Sequence, residues 1–560
     1  MDFLMALQPQ SSPNTLEAAI MAFQAGDLTS ARRRVEAVLK REPRNADARF
    51  LLARFWLEGG ELLRGRRELE LLLRQVPDHA GAHMAMGQVL VRLNELLQAR
   101  PHLERAIELD REIPDAWLQL AILDEQQETL AKAIERLQSA QAILPKHAGI
   151  LGNLATALAK DGQTAAARSA FEQVLKLDTK SAITHFNLGR LLRDSGDYAL
   201  ALEHYQRAIV LNPNFADAQH NLGNLLLDMD RADEAMRAFH IATRLRFAPG
   251  AQGQRNPTYF LRTTPVKLRH DIEQLGYLRR QGLIGDEADQ VIADHQRALG
   301  GLPAAKMGEV TVELPAAAQA RLAPSYNRLL LWDAETAIAG PAVNPTLDWR
   351  GIEADYHQRG PGITWFDGLL TPTALTALRR FCLTSTIWSE FRFANGYVGS
   401  FIEGGFCCPL LLQIARELAA ALPSIFDGHP VAKMWAFKYD HKLAGIPIHA
   451  DFAAVNVNFW ITPDEANLDP DGGGLKVWDK EAPLDWDFNT YNKDEQAIRT
   501  FIAESGAQAI NVPHRQNRAV MFNSDLFHET GTVNFREGYE NRRINVTMLF
   551  GKRHNTVTKA

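Results

Sequence analysis

Small residues recur at a fixed spacing of 34 along the first part of this sequence. One series comprises Ala19, Ala53, Gly87, Ala121, Ala155, Gly189 and Gly223. A second series follows twelve positions later and comprises Ala31, Gly65, Ala99, Ala133, Ala167, Ala201 and Ala235. Proline recurs in the same register, at Pro43, Pro77, Pro145 and Pro213. Seven units with no insertion or deletion at these positions predict a repeat array.

The spacing suits a unit made of two helices. A small residue on each helix lets the two cross closely, and proline ends the unit because it cannot continue the second helix. Leucines and aromatic residues, as in HFNLGRLL (185–192), fill the layer between neighbouring units. We therefore expect an N-terminal tail at 1–14 and seven helical hairpins over residues 15–248. A generic Ala/Leu-rich bundle is the alternative, but a bundle needs no fixed register.

This pattern resembles the tetratricopeptide repeat. The resemblance implies an all-α superhelix whose concave face binds a protein or peptide partner. Asn153, Asn187 and Asn221 lie close to the small residues of their units. Each is either a clamp for a bound peptide backbone or a solvated helix position, and the sequence leaves both interpretations open.

Composition excludes several classes of function. A formal net charge of −6 over 560 residues gives no support for a nucleic-acid or membrane-surface partner, which needs clustered positive charge. No stretch approaches the ~18 apolar residues of a spanning helix, and the N-terminus lacks the features of a signal peptide. Cys382, Cys407 and Cys408 are too few for a disulfide framework. We therefore expect a cytoplasmic protein.

The second half of the chain has a different composition. Eight of the ten tryptophans lie between Trp332 and Trp486, among residues that favour short strands and turns. A connecting region is expected over 249–355, with two capping helices in 264–299 and an irregular connector in 300–350.

A further domain is expected over 356–560. It opens near residue 360 as a strand, a turn and a helix that begins at Thr371-Pro372. Strands that alternate apolar and polar residues, separated by Gly, Asn, Asp and Pro turns, continue from residue 435 to 553.

Two histidines and a carboxylate in this domain suggest a metal site. The segment IPIHADFAAVNVNFWIT places His449 and Asp451 on one strand face, and His528 follows in AVMFNSDLFHETG. Two histidines and one carboxylate on one side of a metal form the facial triad of non-haem Fe(II) oxygenases. His-x-Asp alone is a weak signal, so the order of the flanking segments matters. The alternative is a β-domain without a metal.

An arginine pair follows at the start of the last predicted strand, ENRRINVTMLFG (540–551). Strand alternation puts Arg543 and Asn545 on one face. An arginine inside an apolar barrel needs an anionic partner, and a dicarboxylate co-substrate would supply one. The sequence leaves open whether Arg542 or Arg543 points inward, and whether Asn456 and Asn458 line the pocket or face solvent.

Residues 360–553 resemble the 2-oxoglutarate- and Fe(II)-dependent oxygenases, in a form similar to the prolyl hydroxylases. His-x-Asp, then Gly-Gly-x-Leu, then a distal His and an Arg occur in the order of that family. The resemblance implies a double-stranded β-helix, a jelly-roll α+β domain. It also implies that the iron ligands are His449, Asp451 and His528. The residues implied to bind 2-oxoglutarate are Arg543, Tyr439 and Asn545. Asn545 stands where many members have Ser, and Asn517-Arg518 replaces the usual Gly.

The resulting hypothesis is a 2-oxoglutarate- and Fe(II)-dependent dioxygenase that hydroxylates a protein or peptide recruited by the repeats. The hypothesis implies Fe(II) as the cofactor and 2-oxoglutarate and O₂ as co-substrates, and it is compatible with ascorbate as a further cofactor. The alternative is a non-catalytic repeat scaffold with a binding-only jelly roll. A glycosyltransferase is disfavoured because the C-terminal part lacks βαβ alternation. His441, His514 and His554 are expected in turns or at the surface.

Overall fold

The structure is a computed structural model. It describes residues 13–127, 129–251, 258–305, 309–360, 362–393 and 396–553. Most of the predicted tail at 1–14, and His554, lie outside the described residues. Between His204 and Tyr205 the chain divides into two compact units.

In the described residues up to 251, fourteen helices follow one another. They are α1 (Pro13–Gln24), α2 (Leu28–Arg41), α3 (Ala46–Glu58), α4 (Leu62–Gln75), α5 (Ala80–Arg92), α6 (Leu96–Leu109), α7 (Pro114–Gln127), α8 (Leu130–Ile143), α9 (Ala148–Lys160), α10 (Thr164–Leu177), α11 (Ala182–Asp194), α12 (Tyr198–Leu211), α13 (Ala216–Asp228) and α14 (Ala232–Phe247). Consecutive helices pack in pairs, as α5 packs with α6 and α13 with α14. This is the helix pairing that the 34-residue spacing predicts.

Close helix crossing explains the small residues. A methyl group added at Gly87 of α5 would lie 2.5 Å from Leu103 of α6. A methyl group added at Gly223 of α13 would lie 2.5 Å from Phe239 of α14. Ala53, at the equivalent position of an earlier unit, is fully buried. Larger side chains at these positions would push the two helices of a pair apart, because protein interiors are close-packed.

The connecting region holds more regular structure than expected. Its elements are α15 (Thr258–Leu261), β1 (Arg262–Thr263), α16 (Pro265–Arg280), α17 (Glu287–Gly300), β2 (Val312–Glu313), α18 (Ala316–Leu322) and α19 (Trp349–Gln358). α16 and α17 are the two helices predicted in 264–299. Within the predicted connector, β2 pairs with β1 and α18 packs against α17, so residues 312–322 are not irregular.

The C-terminal region combines short strands with helices. Its elements are β3 (Ile363–Asp367), α20 (Pro372–Thr384), β4 (Tyr397–Phe401), α21 (Pro409–Ala421), α22 (Pro423–Phe426), β5 (Val431–Tyr439), β6 (Lys442–Leu443), β7 (Val455–Trp460), β8 (Leu475–Glu481), α23 (Phe488–Lys493), α24 (Glu495–Ser505), β9 (Ala509–Val512), β10 (Arg518–Asn523), β11 (Leu526–Thr530), β12 (Val533–Asn534) and β13 (Ile544–Phe550). α20 begins as predicted, because Thr371 accepts from the Ala374 N–H and Pro372 occupies the first helical position.

Antiparallel sheets frame the site. One sheet has the strand order β3-β10-β7-β13-β5-β4 and another has the order β11-β8-β9. Every strand pairing among the described residues is antiparallel. The two sheets share an apolar core to which Trp460 and Phe522 contribute from the larger sheet and Val477 and Val512 from the smaller. The sequence-predicted site residues lie on the faces that enclose this core.

Candidate functional site

His449 and His528 form an antiparallel backbone pair. The His449 N–H donates to the His528 carbonyl at 3.0 Å, and the His528 N–H donates to the His449 carbonyl at 2.8 Å. Residues paired in this way project their side chains to one face, and the two rings lie 4.4 Å apart. Asp451 follows two residues after His449 and precedes β7, so the expectation that the two share a strand face is wrong. One ligand atom from each of the three side chains lies within 4.8 Å of the others.

The two imidazoles use the same ring nitrogen for support. His449 Nδ1 lies 2.8 Å from the Pro447 carbonyl, and His528 Nδ1 lies 3.1 Å from the Leu526 carbonyl. A carbonyl only accepts, so each Nδ1 carries a hydrogen, and Nε2 is the ring nitrogen that can bind a metal. Carbonyl contacts of this kind orient histidines for metal binding. The donor set therefore fits a divalent transition metal.

The charge states of His449 and Asp451 suit a cation. Burial and the neighbouring His528 lower the pKa of His449 to about 4, so this ring is neutral at pH 7. Burial raises the pKa of Asp451, but His528, His449 and Asn456 together outweigh burial and hold that pKa below its ordinary value. Asp451 is therefore ionised, and its Oδ2 lies 3.5 Å from His528 Nε2.

Arg543 is a buried cation without a carboxylate partner among the described residues. Its side chain is 0% exposed, and its Nε donates to the Gly473 carbonyl at 2.5 Å. The guanidinium carbon lies 4.5 Å from the centre of the Tyr439 ring, and Nη1 has no hydrogen-bond partner in this part of the chain. Burial lowers the pKa of Arg543, and Tyr439 acts in the opposite direction. An anionic ligand would relieve the cost of this unpaired charge.

Arg542 and Arg543 both lie just before β13, but their side chains make different contacts. The Arg542 Nε and Nη2 donate to the Glu273 carboxylate on α16 at 2.6 and 3.1 Å. Arg542 is therefore held in an ion pair with α16, whereas Arg543 contacts Gly473 and the rings of Tyr439 and Trp460 in the space between the sheets. The choice between the two arginines, which the sequence left open, follows from these contacts.

The GGGLKVW segment holds a turn beside Arg543. Gly473 has a φ of +69°, which favours glycine, and its carbonyl accepts the Arg543 bond. A methyl group at Gly474 would lie 1.9 Å from the Val512 carbonyl oxygen on β9. Only glycine permits this close approach of two backbones, so the segment is a packing turn that brings an acceptor to Arg543.

The remaining predicted co-substrate residues lie in the same interior. The Tyr439 N–H donates to the Arg543 carbonyl at 3.0 Å, which sets the tyrosine ring against the guanidinium. Asn545, two residues after Arg543, is buried. Asn456 and Asn458 on β7 are buried as well, so the interpretation that they face solvent is wrong.

His514 is a polar residue of this interior that sequence reasoning missed. We expected a turn or surface histidine, but its side chain is buried between Trp460 and Phe535, with ring centres 5.7 and 5.0 Å away. Neither ring nitrogen has a hydrogen-bond partner among the described residues. Burial, Arg543 and Arg518 lower the pKa of His514 to about 3, so the ring is neutral. No local pattern marks it, because it follows Pro513 in a loop.

A cavity of about 620 Å³ lies within the second unit. Its lining includes Asp217, His220 and Arg246 of the last helix pair, and Phe401 and Glu403 at the end of β4. The Phe401 ring lies 5.8 Å from Trp435 and 6.0 Å from Phe437 on β5. These aromatic residues extend along β5 towards Tyr439. A volume of this size is in the range of small-ligand pockets.

Family models match the helical part of the chain. Tetratricopeptide repeat models match residues 22–89, 84–148 and 147–177, and a TPR repeat model matches 189–230. The N-terminal part is built of tetratricopeptide repeats. The prediction of this repeat type is confirmed across these ranges. Such repeats generally bind proteins or peptides. Asn153 and Asn221 each donate to a carbonyl of their own helix at 2.9 Å, which is compatible with both interpretations of these residues.

Several solved structures are similar to part of this chain. They include the Cut9–Hcn1 hetero-tetramer of the APC/C, at 18% identity over 42% of this chain and 47% of that chain, with a TM-score of 0.37. PilF of Pseudomonas aeruginosa has 22% identity over 37% of this chain and 93% of that chain, with a TM-score of 0.33. YrrB, described as a TPR protein with an unusual peptide-binding site, has 22% identity over 33% of this chain and 96% of that chain, with a TM-score of 0.29. This chain spans about half the length of the first of them.

No curated protein matches this chain. In the part of the chain that the structure describes, no helix is both long and apolar enough to cross a membrane.

Proposed function

We propose that the C-terminal region is a 2-oxoglutarate- and Fe(II)-dependent dioxygenase that hydroxylates a protein or peptide substrate. The observation that carries this proposal is the convergence of His449, Asp451 and His528, with their ligand atoms within 4.8 Å of one another, in the same interior as the unpaired Arg543. A metal site alone would leave the buried arginine unexplained. A metal that binds together with a dicarboxylate accounts for both features.

The sheet topology supports a jelly roll for this region. β7 belongs to the larger sheet, β8 and β9 to the smaller, β10 to the larger, β11 to the smaller and β13 again to the larger. A chain that passes back and forth between two facing antiparallel sheets is typical of the jelly roll, in which the space between the sheets can hold a ligand. The proposed double-stranded β-helix is therefore consistent with the observed strand order.

His449, Asp451 and His528 would hold Fe(II). When bound with 2-oxoglutarate and O₂, the iron supplies the oxidising chemistry that inserts oxygen into a C–H bond. The carbonyls of Pro447 and Leu526 keep both Nε2 lone pairs available. Three protein ligands leave further coordination positions to the co-substrates.

Arg543 would bind the distal carboxylate of 2-oxoglutarate. Its unpartnered Nη1 provides a charge-assisted hydrogen bond, and the Gly473 carbonyl and the Tyr439 ring fix the plane of the guanidinium. Trp460 and the neutral His514 ring close the interior around it and limit water. The contribution of the chain at this end is binding and orientation.

The repeats would supply the macromolecular substrate. Tetratricopeptide repeats generally bind proteins or peptides, and the last helix pair contributes Asp217, His220 and Arg246 to the 620 Å³ cavity. That cavity reaches Phe401, which packs against aromatic residues of β5 in the region proposed to be catalytic. A peptide segment that fills the cavity would therefore meet residues of the β-sheet.

The proposal is tested with the full-length chain, Fe(II), O₂ and 2-oxoglutarate, with succinate release as the readout. We expect succinate formation that depends on iron, at a low rate without substrate and at a higher rate with it. The test variant is His449→Ala, which removes a proposed ligand. The matched control is His357→Ala, because His357 lies outside the triad and bonds to Ser424. Equal succinate release from wild type and His449→Ala would contradict the proposal.

The second candidate function is a repeat scaffold with a binding-only β-domain, favoured by the repeat-family matches. Metal binding without turnover on any trapped partner would support it. Partners are identified by mass spectrometry after capture on full-length protein loaded with a redox-inert divalent metal and a 2-oxoglutarate analogue. Partners that are hydroxylated by the iron-loaded protein support the dioxygenase.

A further inference from the structure

A row of buried amides leads away from the proposed metal ligand Asp451. Asn456 Nδ2 donates to Asp451 Oδ2 at 2.6 Å, and Asn458 Nδ2 donates to Asn456 Oδ1 at 2.6 Å. Asn545 Nδ2 donates to Asn458 Oδ1 at 2.9 Å, which also accepts from the Thr547 hydroxyl at 2.7 Å. The row thus runs from the triad to the residue two positions after Arg543.

Strand register explains why these side chains line up. Asn456 and Asn458 are two residues apart on β7, so both project to the same face. β7 pairs antiparallel with β13, and Asn458 lies opposite Thr547 in that pairing. Opposite residues of an antiparallel pair share a face, so Asn545 and Thr547 lie on the same face as the two β7 asparagines.

Asp451 sets the direction of every bond in the row. An ionised carboxylate only accepts, so Asn456 must present its NH₂ group to Asp451 and its carbonyl to Asn458. Asn458 must then present its own NH₂ group to Asn456 and its carbonyl to Asn545. The amide dipoles therefore point head to tail towards the carboxylate, and a chain of this kind polarises cooperatively. At the far end, Asn545 Oδ1 has no partner among the described residues.

We infer that Asn456, Asn458 and Asn545 form a one-directional hydrogen-bond relay that positions the Asp451 carboxylate for metal binding. The inference rests on the proposed function, because it assumes that Asp451 binds a metal. Asn456 holds the carboxylate in one orientation, and Asn458 keeps the Asn456 amide from rotating. Asn545 does the same for Asn458. These are positioning residues, since they act on the metal through Asp451.

A purely structural role makes a different prediction. Buried amides that only satisfy each other would contribute to the free energy of unfolding and leave metal affinity unchanged. The test is therefore Co(II) binding to the full-length chain, followed by the visible d–d absorption of the bound ion, with the free energy of unfolding of the metal-free protein measured alongside. The d–d spectrum reports ligand geometry, which a structural role would not alter.

Asn456→Leu is expected to weaken Co(II) binding by about 10- to 100-fold and to change the d–d spectrum, because contacts to metal ligands have effects of this size. Asn458→Leu should weaken binding less, by about three- to ten-fold, since it acts through Asn456. In the Asn456→Leu background, Asn458→Leu should cause no further loss. Asn327→Leu is the matched control, a buried asparagine that bonds to the Tyr259 carbonyl, and it should leave Co(II) affinity unchanged.

Unchanged Co(II) affinity in Asn456→Leu would overturn the relay, and so would additive losses in the double variant. If Asn456→Leu does not fold, Asn456→Ala removes the same donor with a smaller side chain. Unchanged Co(II) affinity in Asn456→Ala would again overturn the relay. Wild-type protein that binds no Co(II) overturns the proposed metal site together with the relay, so the two failures are distinguishable.

Discussion

Some polar contacts in the helical repeats recur at the repeat spacing, whereas the site contacts of the C-terminal region from β3 to β13, here called the β-region, follow no such spacing. The ring nitrogens of His83 and His102 lie 3.0 Å apart, and those of His185 and His204, three repeat lengths further on, lie 2.9 Å apart. The ion pair between Arg66 and Glu95 likewise returns as Arg168 with Asp197. A repeat unit copies its contacts because each unit packs only against its neighbours.

The β-region joins residues that are far apart in sequence, and it leaves some of them unpaired. Arg542 bonds to Glu273, and Arg543 bonds to the Gly473 carbonyl. Arg543 Nη1 and both ring nitrogens of His514 lack hydrogen-bond partners among the described residues. In the repeats, by contrast, the fully buried Asp124 is paired with Arg100 and Arg136. Buried charge is thus paired at Asp124 in the repeats and also at Asp525 in the β-region, which bonds to Arg553. The Arg543 guanidinium differs from both because it has no carboxylate partner among the described residues.

The largest expected effect is at the triad. His449→Ala or Asp451→Ala should abolish 2-oxoglutarate turnover, because two protein ligands do not complete the facial site. Helical circular dichroism should stay at the wild-type level, since neither residue contacts a repeat helix among the described contacts. The measurement is succinate release together with Co(II) affinity. Retained turnover in either variant would contradict the assignment of the metal site to His449 and Asp451.

The next effect separates the two adjacent arginines. Arg543→Met should raise the 2-oxoglutarate concentration needed for half-maximal turnover by at least about tenfold, because a charge-assisted bond is lost. The same change should raise the free energy of unfolding of the ligand-free protein by about 1–3 kcal/mol, since it removes an unpaired buried charge. Titration of 2-oxoglutarate and chemical denaturation measure the two quantities.

Arg542→Met is the control for that prediction. It should lower the free energy of unfolding, because Glu273 loses its partner, and leave the 2-oxoglutarate requirement unchanged. If Arg542→Met instead raises the 2-oxoglutarate requirement and Arg543→Met leaves it unchanged, Arg542 is the residue that binds 2-oxoglutarate.

A smaller effect is expected within the repeats. Asp124→Ala should lower the free energy of unfolding by about 2–4 kcal/mol, because Arg100 and Arg136 lose a fully buried partner. Co(II) affinity should not change. Glu172→Ala, which removes an exposed pair with Arg168, should cost less than about 0.5 kcal/mol. Denaturant unfolding followed by circular dichroism measures both, and equal costs would contradict the buried pairing.

The smallest effect is a pH dependence at His514. Its folded-state pKa of about 3 lies below the ordinary histidine value, so the unfolded chain binds a proton that the folded chain does not. Stability is therefore complete above that ordinary value and falls as the pH decreases towards 3, by at most about 1.4 kcal/mol per pH unit. His514→Phe should lose about 1–2 kcal/mol less than wild type between pH 7 and pH 5. The same loss in both proteins would mean that His514 titrates normally.

Several elements follow from local sequence alone. The 34-residue spacing predicts the helix pairs, because small residues and helix ends act within one unit and its neighbours. Thr371-Pro372 predicts the start of α20, because a cap and a first-turn proline act within one turn. The His-x-Asp motif points to His449 and Asp451, but the strand predicted for them does not form, because His449 lies in an isolated bridge with His528 and β7 begins only at Val455.

Other features of the site have no local signal. His514 follows a proline in a loop, and its burial depends on Trp460 and Phe535 from other segments. The ion pair of Arg542 with Glu273 depends on how α16 packs, and two adjacent arginines in the sequence give no sign of this packing. The amide relay depends on the pairing of Asn458 with Thr547 across two strands.

The sequence by itself therefore determined the repeat architecture and named the residues from which a metal site can be built. Only the tertiary structure decided which of them meet, which arginine is left unpaired and which asparagines support Asp451. The physical reason is the range of the interactions. Helical repeats are stabilised by contacts within and between adjacent units, whereas a β-site depends on strand register, and a shift of one residue would turn each side chain to the other face.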